Sequence, residues 1–108
     1  MYVPEKGDIV SLDFDPSSGA EIIKRRPALV ISRKSFNEHT GFAIVAPITT
    51  TIRGMALEVV LKGHSIEGAV LVHQLRSLDV QSRGIRFIEK ASKSVTEEVT
   101  QMATVIIR

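Results

Sequence analysis

The sequence predicts a mainly β domain that ends in one α-helix. Three observations support this prediction: short apolar segments recur along most of the chain, turn-forming residues separate them, and apolar residues at helical spacing occur near the C-terminus. With 108 residues, 44% of them apolar, the chain is long enough for one packed core. We therefore predict a single domain over residues 1–108.

The N-terminal part of the chain predicts two strands joined by a long loop. Residues 9–14 alternate apolar and polar side chains, which is typical of a half-buried strand. Pro16 and Gly19 open a polar loop that runs to about Arg25. Residues 27–32 form a continuous, largely apolar run, so we predict an inner strand there.

The middle of the chain predicts a short turn and then more strands. Residues 35–41 indicate a turn or a single helical turn that Gly41 closes, and residues 42–48 follow as the third strand. Pro47 has no amide hydrogen to donate, so we expect it at a strand end or a sheet edge. Further short β segments are predicted at 56–61, 68–72, 74–80 and 85–88.

The last segment of the chain predicts a helix. Ser94 and Glu97 form a capping-box pattern, in which the two side chains satisfy the first free amides of a helix. One apolar stripe then recurs at helical spacing through Val95, Val99, Met102 and Ile106. Many short strands followed by one packing helix favour a small, SH3-like closed β-barrel with a C-terminal helix.

Composition limits the chemistry that this chain can perform. The absence of cysteine excludes disulfides, thiolate nucleophiles and cysteine-based zinc sites. The three histidines, His39, His64 and His73, are far apart in the sequence, so we expect no metal site and no cofactor. We find neither a secretory leader nor the ~20 consecutive apolar residues that a membrane span needs, and we expect a cytoplasmic protein without membrane contact.

Charge is segregated along the chain. Residues 1–21 carry one lysine against five carboxylates, whereas residues 22–57 carry six cations against one glutamate. This segregation favours a polyanionic partner more than the formal net charge of +2 does. From charge alone, a merely solvated basic surface is an equal alternative.

The loop before the second strand gathers groups that can act on a phosphate. It brings together Glu21, Lys24, Arg25 and Arg26. Arginine offers a fixed fork of donors that suits a phosphate and stays protonated. Pro27 biases Arg26 toward an extended backbone, which would set that guanidinium on a rigid strand start while its two neighbours stay mobile. The alternative is a solvated basic loop.

Two other segments offer polar groups. Thr49 and Thr50 end the third strand, where a hydroxyl can donate to a phosphoryl oxygen, although strand-end threonines are most often structural. In the segment 72–76, a strand would turn His73 outward with Leu71 and place Gln74 and Arg76 on the other side. A neutral histidine can shuttle a proton near pH 7, and a surface hydrogen bond is the alternative role.

Taken in order, these motifs resemble the MazF/PemK family of toxins. The motifs are GDIVSLDFDP at 7–16, GAE at 19–21, RPALVI at 26–31, PIT at 47–49 and GAVLVHQLRSLD at 68–79. The predicted C-terminal helix fits as well, so the resemblance spans nearly the whole chain. It implies a homodimer of SH3-like barrels that cuts single-stranded mRNA at short sequences, and a cognate antitoxin protein that blocks it.

The resemblance also implies a mechanism and a site. The reaction needs no metal: the ribose 2′-hydroxyl attacks the adjacent phosphorus and a cyclic phosphate is left. By position, Arg26 matches the family's catalytic arginine, Thr49 its catalytic threonine, and Glu21 a loop glutamate that supports the site. Contacts to RNA are expected from the other polar side chains of the same segments, namely Lys24, Arg25, Thr50, Gln74 and Arg76.

The sequence departs from the family pattern at two places, in the loop at 22–24 and in the segment 71–73. Ile22, Ile23 and Lys24 stand where family members usually have glutamine and glycine, so we expect a stiffer loop. His73 replaces an aspartate that acts as an acid or base in some relatives, and Leu71 stands where the PemK branch has a catalytic arginine. We therefore favour a MazF-like catalytic pair, with the hypothesis that His73 takes up part of the proton transfer.

Two other functions fit the same predicted fold. A CcdB-like toxin would poison DNA gyrase and would not need the arginine–threonine pair. A non-catalytic SH3-like module would only bind nucleic acid or protein. Discrete RNA cleavage in the presence of EDTA distinguishes the nuclease from both.

Overall fold

The computed structural model describes residues 1–16, 18–21 and 23–108. Of the sequence positions discussed above, Ile22 lies outside the described residues. In chain order the elements are β1 Asp8–Asp13, β2 Arg25–Val30, α1 Lys34–Thr40, β3 Phe42–Thr49, β4 Glu58–Val60, β5 Ala69–Leu71, a 3₁₀ helix Val72–Gln74, β6 Arg76–Asp79, β7 Arg86–Lys90 and α2 Lys93–Ile107.

The strands form an antiparallel sheet in the order β4-β5-β3-β2-β1-β7, and β6 pairs with the first half of β3. The predicted mainly β fold with a C-terminal helix is confirmed. Closure of the barrel by strand pairing is not observed, because the pairings of the described residues leave β4 and β7 at the two ends of the sheet. A side chain bridges these ends instead. One oxygen of Glu89 on β7 accepts hydrogen bonds from Ser65 N, Ser65 Oγ and Ile66 N in the β4–β5 connection.

Alternation along the strands places one apolar cluster on each face of the sheet. The helix-side core packs α2 residues such as Val99 against Ile9 and Leu29. A second core, the opposite core, lies on the other face of the sheet and contains Leu12 and Val45. The functional groups described below lie at one end of the opposite core.

Several predicted boundaries shift in the structure. The second strand begins at Arg25, two residues earlier than predicted, and the predicted turn at 35–41 is the short helix α1, which Gly41 ends with φ 75°. The predicted strand at 74–80 was wrong at its start, because the chain forms a 3₁₀ helix before β6 begins at Arg76. The expected alternation also fails in β5, where Val70 and Leu71 are both buried, although His73 is exposed as predicted.

Pro47 lies within β3 and is buried, which the expectation of a strand end or sheet edge did not anticipate. Ile31 N donates to Ile44 O, so in the alternating β2–β3 ladder Pro47 belongs to a pair without backbone hydrogen bonds. Its nitrogen therefore points to the other edge of β3. There the pairing to β6 ends at Val45 and the pairing to β5 begins at Ile48, so the missing donor breaks no ladder bond.

The C-terminal helix begins with a different cap from the one predicted. Ser92 is the N-cap, with extended backbone and an Oγ that accepts from Val95 N at 3.2 Å. Ser94 lies inside the first turn, so the capping box of Ser94 and Glu97 was wrong. Glu97 instead faces Lys93 one turn earlier, at 4.0 Å.

Candidate functional site

Arg26 and Thr49 lie on one face of the sheet, where β2 begins and β3 ends. Leu12 pairs with Arg26, and Ala28 pairs with Pro47. Residues directly opposite in an antiparallel sheet share a face, as do residues two apart in one strand. Continuing the β2–β3 register by two residues sets Arg26 opposite Thr49. Both residues are half-buried, so they are shielded on one side and reachable on the other.

Arg76 joins the same face from β6. It pairs with Val45, which lies four residues before Thr49 in β3 and therefore on the same face. Arg76 Nη1 donates to Phe14 O at 3.1 Å, so its guanidinium extends toward the end of β1. The end of the opposite core is thus bordered by two guanidinium groups and one hydroxyl.

Backbone contacts hold the chain just before Arg26. Lys24 adopts φ 66°, an uncommon conformation for a residue with a side chain. Its amide donates to Asp15 Oδ1 at 2.9 Å, and its carbonyl accepts from Phe14 N at 2.9 Å. Arg26 Nε donates to Ile23 O at 3.2 Å, which turns the side chain back over the same loop.

Arg25 and Arg26 point to opposite faces. Arg25 Nη2 donates to Ser11 O at 3.2 Å and to Gly84 O, so its side chain crosses β1 toward the turn before β7. The structure therefore does not bring Arg25 together with Arg26. The expectation that Lys24 and Arg25 are mobile is wrong for their backbone, because Lys24 is hydrogen-bonded as described and Arg25 is part of β2.

The loop before β2 meets the 3₁₀ helix in a small cleft. Gln74 Nε2 donates to Ala20 O at 3.4 Å and links the two segments. Glu21 closes its own loop, since its carboxylate accepts from Ser18 N at 2.8 Å. The cleft measures about 160 Å³, and its walls are Glu21, His73, Gln74, Leu75 and Arg76. Because Arg76 belongs to both the cleft and the face of Arg26, the two regions adjoin.

Thr49 and Thr50 lie where the chain leaves β3. Thr49 Oγ1 accepts from Thr51 N at 3.2 Å, which leaves its hydroxyl hydrogen available for another acceptor. Thr50 and the next seven residues are exposed. Glu58 steadies this segment, because one of its oxygens accepts from Arg53 N and Gly54 N at 3.1 and 3.0 Å.

Sequence reasoning did not single out Gly68 for this site. It has φ 131°, and the backbone of Thr49 fills the space that a Cβ would take. The only sequence signal is a glycine directly before an apolar strand, which does not reveal what packs against it.

The groups with shifted pKa lie at other places in the fold. Asp8 is buried on β1 and accepts hydrogen bonds from Tyr2 Oη and Glu5 N, and it forms an ion pair with Lys90. Burial and the hydrogen bond to Asp8 raise the pKa of Tyr2, and the hydrogen bond to Asp8 raises the pKa of Lys90. These contacts attach the N-terminal segment to β1 and β7.

The side chains of the candidate site carry more positive than negative charge. In the part of the chain that the structure describes, Arg26 forms no salt bridge, so its charge is available to an anionic ligand. The described residues contain no cluster of three or more histidine, aspartate or glutamate side chains able to hold a metal ion. Within the same residues, no helix has both the length and the apolar character of a membrane span.

Comparison with known proteins gives consistent matches. Residues 5–107 match the family described as PemK-like, MazF-like toxin of type II toxin–antitoxin system. The endoribonuclease toxin MazF of Escherichia coli K12 is 41% identical over 83 residues, covering 77% of this chain and 75% of the relative. Crystalline MazF from Deinococcus radiodurans has a TM-score of 0.94 at 37% identity, covering 99% of this chain and 98% of that one. A MazE–MazF structure from the same organism has a TM-score of 0.87 at 36% identity, covering 98% and 97%.

Proposed function

This chain belongs to the PemK-like, MazF-like toxin family of type II toxin–antitoxin systems, and we propose that it is an endoribonuclease toxin that cleaves single-stranded mRNA and so inhibits translation and growth. The observation that carries the proposal is the common face of Arg26, Thr49 and Arg76 beside the cleft of the 3₁₀ helix. This arrangement can hold a phosphate between guanidinium groups and a hydroxyl.

The proposed reaction needs no metal. The ribose 2′-oxygen loses its proton and attacks the adjacent phosphorus, the bond from phosphorus to the 5′-oxygen breaks, and that oxygen gains a proton. The products are a 2′,3′-cyclic phosphate and a 5′-hydroxyl. Negative charge rises on the phosphoryl oxygens in the transition state, and fixed donors aimed at those oxygens lower the barrier.

Each catalytic residue has a proposed role. Arg26 stabilises the transition-state charge, since it is half-buried, held by Ile23 O and outside any described salt bridge. Thr49 donates its hydroxyl hydrogen to a phosphoryl oxygen. Glu21 supports the loop that forms one wall of the cleft, and His73, exposed on another wall, carries part of the proton transfer.

The remaining polar groups are proposed to hold the RNA strand. Gln74 and Arg76 line the cleft, while Lys24 and Thr50 are exposed residues that directly precede β2 and directly follow β3. Arg25 faces the other side of β2, so a contact to RNA from Arg25 would involve a nucleotide away from the scissile bond.

The proposed assembly is a homodimer whose two copies form one basic groove, shared by RNA and an acidic antitoxin tail. An apolar groove of about 350 Å³ between α2 and the sheet supports a second copy as the occupant; Ile31, Ile44, Leu75, Ala103 and Ile107 line it. Ile107 at the end of α2 lines this groove and is 68% exposed, and an exposed apolar patch marks an association surface. We also propose that residues 1–108 act as one toxin domain in the cytoplasm.

Cleavage of a long single-stranded RNA in EDTA tests the proposal. The purified protein should give discrete fragments, and Arg26→Ala should slow their formation by roughly 10²–10³-fold. Arg86→Ala is the matched control, because Arg86 is an exposed arginine on β7, and it should cleave at the wild-type rate. Intact RNA with blocked gyrase supercoiling would indicate a gyrase poison instead, and salt-sensitive retention without cleavage would indicate a binding module.

A further inference from the structure

The backbone of Gly68 lies against the backbone of Thr49. Gly68 directly precedes β5 with φ 131°, a conformation that residues with a side chain rarely adopt. A Cβ at this position would lie 2.8 Å from the Thr49 carbonyl carbon, closer still to the Thr49 carbonyl oxygen, and 3.3 Å from Thr50 Cα. Because these are all backbone atoms, no change of side-chain rotamer can relieve the clash.

Strand pairing prevents Gly68 from moving away from Thr49. The Gly68 carbonyl accepts from Leu61 N at 2.9 Å, across the β4–β5 hairpin. The next residue, Ala69, pairs with Thr49 on one side and with Val60 on the other. The backbone at Gly68 is therefore held on both sides of the strand.

The connection before Gly68 is fixed as well. The Glu89 carboxylate on β7 accepts from the Ser65 and Ile66 amides at 2.9 and 3.1 Å. His64 Nε2 accepts from Ser92 N, the N-cap residue of α2, at 2.9 Å. Because the connection and β5 are both held, a side chain at position 68 must displace the backbone of Thr49, the last residue of β3.

We infer that Gly68 is a positioning residue that sets the Thr49 hydroxyl in the catalytic centre by leaving room for the Thr49 carbonyl. The inference rests on the proposed function, because it concerns the same threonine. A side chain at position 68 shifts the end of β3 and turns the hydroxyl away from the phosphate. A displacement of about 1 Å in a catalytic group can lower the rate roughly 10²-fold.

Gly68→Ala and Gly63→Ala test the inference as a matched pair. Gly63 lies in the same connection with φ 74°, and no heavy atom lies within 4 Å of the place its Cβ would take. The kinetics are measured on an RNA oligonucleotide that contains the mapped cleavage sequence. Gly68→Ala should lower kcat at least tenfold with less than about a threefold change in KM, whereas Gly63→Ala should stay close to the wild type in both constants. Rates are normalised to the folded fraction from circular dichroism.

A double-mutant comparison separates positioning from a general structural role. If Gly68 acts through Thr49, adding Gly68→Ala to Thr49→Ala should cause no further loss of kcat. Wild-type kcat in Gly68→Ala would overturn the inference while leaving the proposed function intact, and an equal further loss in the double variant would also overturn it. Wild-type activity in Thr49→Ala would overturn the proposed role of Thr49 itself.

A second measurement covers the case in which Gly68→Ala does not fold in ordinary buffer. Both Gly68→Ala and the wild type are then assayed in trimethylamine N-oxide, an osmolyte that favours the folded state. Gly68→Ala should fold under these conditions and should still have a lower kcat than the wild type. Equal kcat values in the two proteins would contradict the inference.

Discussion

Arg26 differs from its neighbour Arg25 in what its side chain contacts. Both are consecutive cations before a proline, and the sequence predicts a rigid start of the strand for only one of them. The structure places Arg26 on the face of Thr49, while Arg25 donates to backbone carbonyls on the other side of β2. Strand parity could have separated them, but only after the start of β2 at Arg25 was known.

The Thr49 hydroxyl gives a prediction about the rate of the chemical step. Thr49→Val should lower kcat roughly 10²-fold, because it removes a donor to the phosphoryl oxygen while keeping the shape of the side chain. Thr49→Ser should retain most of the activity. Thr40→Val is the matched control, because Thr40 is an exposed threonine at the end of α1, beside the end of β3 opposite to Thr49, and it should change kcat little. Single-turnover cleavage measures all three, and an equal loss at Thr49→Val and Thr40→Val would contradict a special role for Thr49.

His73 gives a prediction about pH dependence. It is exposed and lines the cleft with Glu21 and Arg76, so it can exchange a proton with a bound substrate. If it takes part in the transfer, the pH–rate profile of His73→Ala should lose an inflection that the wild-type profile contains. A profile of unchanged shape in His73→Ala would show that the proton passes through another group.

At the scale of elements, the apolar pattern predicted the strands better than it predicted their ends. The alternation in β1 and the buried run in β3 were recognisable because burial imposes them. The N-cap of α2 could not be recognised in this way. Ser92 and Ser94 both have a hydroxyl, and only the fold decides which of them has an extended backbone. The position of Pro47 was predicted wrongly for a similar reason. β3 can contain a proline there because Pro47 falls between the residues that pair with β6 and those that pair with β5, which the sequence does not show.

The Glu89 bridge between β7 and the β4–β5 connection predicts a dependence of stability on pH. The hydrogen bonds from the Ser65 hydroxyl and the Ile66 amide lower the pKa of Glu89 below its ordinary value. The stabilisation is therefore fully present above the pKa that Glu89 has in the unfolded state, and it is lost as the pH falls through the lower pKa of the folded state. Glu89→Gln should lower the urea midpoint at pH 7 and flatten its decline in acid.

Glu38→Gln is the control for this measurement, because Glu38 is an exposed carboxylate on α1. It should leave both the midpoint at pH 7 and the acid decline close to the wild type. If Glu89→Gln had the same acid decline as the wild type, the bridge would contribute nothing to the closure of the sheet ends.

At the scale of the whole molecule, the exposed apolar end of α2 predicts self-association. Ile107→Asp places a charge in the groove between α2 and the sheet, and it should weaken the dimer at least tenfold in sedimentation equilibrium. Ile52→Asp is the control, because Ile52 is another exposed isoleucine but lies in the segment after β3. A monomeric wild type at micromolar concentration, or equal effects of the two variants, would contradict the proposed face.

The sequence identified the class of fold and proposed residues for a candidate site, but it did not show how those residues meet. The contact of Gln74 with Ala20 joins segments that are far apart in the chain, and the approach of Gly68 to Thr49 depends on the pairing of β5 with β3. Such contacts follow from register and loop path, which a single sequence leaves open. The ordered motifs compensated for this, because they linked the separate segments before any geometry was known.

The chemistry of the cleavage products tests the central claim most directly. RNA is incubated with the protein in EDTA, and the new ends are identified by mass spectrometry, beside an RNA with a single 2′-deoxy nucleotide at the mapped cleavage position. If Arg26 and Thr49 form the proposed centre, the products carry a 2′,3′-cyclic phosphate and a 5′-hydroxyl, the deoxy RNA stays intact, and Arg26→Ala gives almost no product. Products with a 3′-hydroxyl and a 5′-phosphate, or cleavage of the deoxy RNA, would contradict the account.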